Sequence, residues 1–174
     1  DEAEQSLPLL PLTHATGAVN FFEIIAHGAL LAETCKYYHE ELVYLFYGRP
    51  AYRPEMDVLY TSDEGFRPIT ILLYPDLKTP IKRVVPIDSG AFLDGKFAQH
   101  CPKNLRVENF EISPGIAAAA KHVAAFFSDN RSYYLSRLRG DIHLDPTQIA
   151  AKAYKSIQTN TGQTASDDRR STIE

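Results

Sequence analysis

Arg49, Tyr52 and Arg53 cluster just after the run Val43–Tyr47, which breaks at Gly48 and Pro50. Guanidinium groups pair with anions through a planar fork, and an aromatic ring beside them offers a face for stacking. Loops held at a strand end are where binding groups concentrate. The chemistry this predicts is anion capture with stacking, at the end of a strand that carries Tyr47. The plainer reading places Tyr47 and Tyr52 in the core and leaves both arginines in solvent. A magnesium-dependent nuclease would draw on Asp76, Asp88 and Asp94, but these lack a recognisable metal spacing. His27, His39, His100, His122 and His143 are likewise scattered, so no metal is expected.

The elements that must position these groups are few and short. Val43–Tyr47 and Ile69–Tyr74 are apolar, β-branched and aromatic between breakers, which predicts two interior strands. Leu7–Thr13 carries two prolines and reads as an edge strand that delivers His14. A helix is expected over Ala18–His27, with Thr16 as N-cap, Gly28 past its C-terminus, and Val19, Phe22, Ile25 and Ala26 facing the sheet. Asp88-Ser89-Gly90 signals a turn. Ser113-Pro114 and Asp145-Pro146 open later helices, and Arg131–Arg139 is a third helical candidate. Arg169–Glu174 looks like the start of a strand. Strands interleaved with helices, without regular βαβ alternation, predict an α+β class.

The chain has 174 residues, 44% of them hydrophobic, which suits one domain with a real core. A net charge of -4 argues against a broad nucleic-acid coat or a membrane-surface role. No apolar segment approaches the roughly 18 residues of a membrane span. Cys35 and Cys101 make neither a disulfide framework nor a zinc site, which favours a reduced, cytoplasmic setting. The sequence begins at Asp1 rather than Met, which reads as a piece of a longer chain. G-x-G-x-x-G, G-x-x-x-x-G-K-[ST], H-E-x-x-H and G-x-S-x-G are all absent.

Three separated segments then fall in a telling order: His14-Ala15-Thr16 with the helix to Gly28 and Leu30, Leu45-Phe46-Tyr47-Gly48-Arg49-Pro50, and Arg170 with Ile173-Glu174. Their order resembles the ADP-ribosyltransferase fold family, and the likeness is nearest to its DNA-targeting toxins of bacterial defence. The resemblance implies a split β-sheet with flanking helices and NAD as the substrate. It also implies transfer of ADP-ribose to a macromolecular acceptor, DNA, RNA or protein. Catalytic roles would fall to His14, Tyr47 and Glu174. His14 would bond a ribose hydroxyl, Tyr47 or Tyr52 would stack on nicotinamide, and Arg49 or Arg53 would pair with the pyrophosphate. Thr16 joins the same cofactor-binding set. Glu174 would stabilise the positive charge that grows on the ribose, with Glu108 and Glu111 as fallback carboxylates. The rival reading is a non-catalytic nucleotide- or protein-binding module on the same fold.

Overall fold

The computed structural model describes residues 7–50, 68–160 and 172–173. Its organising element is β1 (Leu12–Gly17), which pairs antiparallel with β5 (Pro68–Leu73) along its whole length. On its other side β1 pairs with β4 (Leu45–Tyr47), through Leu12 opposite Tyr47 and Thr13 opposite Phe46. The sheet continues through β7 (Thr172–Ile173) to β6 (Val84–Val85), giving the order β5-β1-β4-β7-β6 among the described residues. A separate hairpin joins β2 (Glu33–Thr34) to β3 (Glu41–Leu42).

The α+β class therefore stands, and Leu45–Tyr47 is an interior strand as expected. Two placements are corrected. The Leu7–Thr13 segment is not an edge strand: only Leu12 and Thr13 enter β1, which lies between two neighbours, while Pro8 and Pro11 stay outside the ladder. Ile69–Tyr74 is not interior: β5 pairs only with β1 among the described residues, and Tyr74 is 84% exposed. An apolar run marks a strand without fixing its place in the sheet.

The helix after β1 forms as α1 (Ala18–His27), and Gly28 closes it in the left-handed region at φ 65°. Its cap is Gly17 rather than Thr16, because Thr16 is still strand and pairs with Ile69. The orientation is also reversed. Val19 and Phe22 point to solvent, Phe22 with 70% of its surface exposed; Ile25 is largely exposed at the rim of the gap beneath the helix, and Phe21 and Ile24 face inward and are half-buried. The helix is apolar on both sides, so spacing alone does not choose the inward face.

The core lies between the sheet and the later helices: α2 (Ser89–Leu93), α3 (Ile116–Phe126), α4 (Asn130–Tyr134) and α5 (Ile149–Asn160). Asp88 is an N-cap, not only a turn residue, and accepts from the Ala91 amide at 2.8 Å. Ser113 does not cap α3; Gly115, at φ 147°, does the job of N-cap without a side-chain bond. The Arg131–Arg139 helix is cut short at Tyr134, and Ser136 takes φ 55° just beyond it. Ile116, Ala119, Ala120, Val123 and Phe126 give α3 its buried stripe. Cys35 and Cys101 are both free thiols. No helix among the described residues is long and apolar enough to cross a membrane.

Candidate functional site

Beyond Thr13, β1 runs on without a strand partner on the β4 side among the described residues, since the ladder there ends at Thr13 opposite Phe46. His14 and Thr16 occupy this one-sided stretch. The chain then turns into α1, whose Asn20, Glu23 and His27 sit three and four positions apart and so share a helix face. The β2–β3 hairpin adds Glu33, Thr34 and Cys35, and Val43 and Tyr44 close the ring. Together these groups line a cavity of about 370 Å³.

The His14 ring substitutes for the missing strand pairing. Its Nδ1 lies 3.0 Å from the Tyr44 carbonyl oxygen. A carbonyl only accepts, so Nδ1 carries the hydrogen and, in the neutral ring, Nε2 is an acceptor. An imidazole fixed this way can receive a hydrogen bond from a sugar hydroxyl. Tyr44 is held in turn: its hydroxyl is 2.9 Å from Cys35 Sγ, which also accepts from the Tyr37 amide at 3.3 Å. The hairpin turn between β2 and β3 is anchored from outside. Lys82 Nζ lies 2.9 Å from Glu40 Oε2, and Arg83 also pairs with Glu40 while its guanidinium stacks 4.3 Å from the centre of the Tyr38 ring. The hydrogen bond from Lys82, followed by that from Arg83, lowers the Glu40 pKa below its ordinary value.

His14 and Thr16 both line this cavity. Tyr47 does not join them. It is fully buried, its hydroxyl accepts from the Leu10 amide at 3.1 Å, and its carbonyl accepts from the Tyr133 hydroxyl at 3.0 Å. A ring closed in on all sides offers no face to nicotinamide, so the stacking and catalytic expectation for Tyr47 is corrected. Arg49 is corrected too. It is 6% exposed, donates through one terminal nitrogen to the Tyr133 carbonyl at 3.1 Å, and lies over the Tyr133 ring at 5.3 Å. Between them Gly48, at φ 73°, accepts from the Tyr134 hydroxyl through its carbonyl. Gly48 and Arg49 are clamped to α4 rather than presented to a ligand.

Tyr52, Arg53, Arg170 and Glu174 lie outside the described residues. Ile173, which precedes Glu174, is buried in β7 opposite Leu45 of β4. Glu108 and Glu111 are exposed and stand apart from the cavity; Glu111 lies 3.9 Å from Arg83. Sequence reasoning missed Asn20, Glu23, His27 and Tyr44. The first three were legible as a polar stripe on an apolar helix. Tyr44 was hidden inside an apolar run, where alternation sends it to the opposite face from Leu45. Among the described residues the cavity lining holds no lysine or arginine, while Glu23 and Glu33 contribute carboxylates. Comparison with protein-family models, curated proteins and solved structures finds no match.

Proposed function

We propose that this chain binds NAD and transfers its ADP-ribosyl group to a macromolecular acceptor, DNA, RNA or protein, in a cytoplasmic setting, on an ADP-ribosyltransferase-like sheet. One observation carries the reading: β1, β4 and β7 are consecutive neighbours in the sheet although they are far apart in sequence. They bear His14, the aromatic run and Ile173, the three segments on which the resemblance rests. His14 accepts from a ribose hydroxyl and Thr16 adds a hydroxyl beside it. Tyr44 takes over from Tyr47 as the ring next to the cavity. The carboxylate of Glu174 is assigned the positive charge that develops as the bond between nicotinamide and ribose breaks. Nicotinamide leaves with the electron pair; a nucleophile on the acceptor forms the new bond and gives up its proton.

A second reading has its own support. Arg49 is consumed by the core, and the described cavity lining offers no cation for a pyrophosphate. That favours a non-catalytic module that binds a nucleoside or a protein segment at the same place. Calorimetry with NAD, together with chromatographic release of nicotinamide, separates the two. The transferase predicts binding and release, with His14→Ala weakening both and Glu174→Gln lowering turnover far more than affinity, because the charge matters most in the transition state. Binding without release points to the module. The absence of both binding and release refutes the NAD site.

A further inference from the structure

A second, larger cavity of about 670 Å³ lies between α1 and the sheet. It is walled by Phe21 and Ile24 of α1, Leu73 of β5, Leu45 of β4, Ile173 of β7 and Ile81 from the chain before β6. Its volume falls inside the range of roughly 300–1,000 Å³ typical of small-molecule sites, and far exceeds the voids that packed interiors leave. Of its described lining only Glu41, Thr79 and Lys82 carry polar side chains, and the two charges are of opposite sign. Lys82 is already paired with Glu40 at 2.9 Å. Apolar cavities reject water and admit apolar guests.

A second observation points the same way. No residue of α1 is buried, although the helix is apolar almost throughout. Its inward side chains Phe21 and Ile24 reach only half-burial, because α1 stands off the sheet and the gap is this cavity. A guest that filled the gap would complete the packing of the helix. The absence of uncommitted cations in the described lining disfavours phosphate and nucleic acid as that guest, since backbone recognition depends on lysine and arginine.

We propose that this cavity is a binding site for an uncharged small molecule with a hydrocarbon body, separate from the polar cavity around His14. The two share a wall that includes Ile24, Leu30 and Val43, so the sites are adjacent without using the same chemistry.

The test is a fluorescence titration of the protein with Nile red, an uncharged apolar dye, with 1-octanol as competitor. Ala32→Trp fills the cavity and Ile25→Asp charges it; both positions are exposed, so neither removes a core side chain. Leu72→Ser is the control, since Leu72 is exposed on the opposite sheet face from Ile71 and Leu73. The expected result is saturable binding displaced by 1-octanol, weakened at least tenfold in both cavity variants at unchanged Tm, and untouched in the control. Non-saturable binding, equal loss in the control, or wild-type affinity in both cavity variants overturns the proposal. NAD calorimetry on the same proteins reads the other site independently.

Discussion

Replacing His122 by Phe should flatten the acid side of the stability profile. His122 sits on α3, its ring 4.8 Å from that of Phe126 and 4.6 Å from that of Tyr154 on α5. Part of the residue touches solvent, but Nε2 is buried and has no hydrogen-bond partner among the described residues. Burial disfavours the imidazolium and lowers the pKa from 6.5 to about 4. Between those values the unfolded chain binds a proton that the folded chain refuses. The contribution is therefore complete above the unfolded value of 6.5, and is lost as pH falls towards about 4. One pKa unit is worth about 1.4 kcal/mol, so the ideal loss between pH 7 and pH 5 is about 2 kcal/mol. Partial exposure screens the ring, which brings the expectation to about 1–2 kcal/mol. Urea unfolding at both pH values, on wild type and His122→Phe, gives a difference of differences in which any offset from repacking cancels. An equal drop in the two proteins would refute the reasoning and place the acid sensitivity elsewhere.

Three further outcomes follow from the geometry. Gly48→Ala should cost about 2 kcal/mol in urea unfolding, because a non-glycine residue is disfavoured at φ 73° and its Cβ would sit 2.7 Å from Leu10 Cδ1. Arg49→Met should destabilise by about 2 kcal/mol, the scale of a charged hydrogen bond, while NAD affinity of the folded protein in calorimetry stays unchanged. Glu40→Gln should remove a pH dependence in the acid range. The lowered pKa of Glu40 gives stability that is present above the ordinary glutamate value and lost as pH falls through the lowered one, so thermal melts of wild type and variant should converge in acid.

The sheet was legible where composition alone decides: Leu45–Tyr47 and Pro68–Leu73 are strands because β-branched and aromatic residues lie between breakers. Their neighbours were not legible, since pairing joins residues that local sequence does not compare. Gly28 closed α1 as expected, yet the inward face of α1 was misread, because Phe21 and Phe22 carry the same hydrophobicity and only the tertiary contacts separate them. The same limit applies to the site. His14 was visible as a residue type and Tyr47 as an aromatic at a strand end. Which side of the strand each faces depends on register, and register put Tyr47 opposite Leu12, inside the core.

The position of β7 has a consequence for how the protein folds. Thr172 and Ile173 occupy an inner place in the sheet, with β4 on one side and β6 on the other. Among the described residues β7 is the one strand that bridges β4 and β6, and without it both would present a hydrogen-bonding edge. Joining β4 to β6 through β7 pairs segments far apart in sequence, and such non-local closure is slow. Of the described strands β7 is the last in chain order, and it is the one that joins β4 to β6.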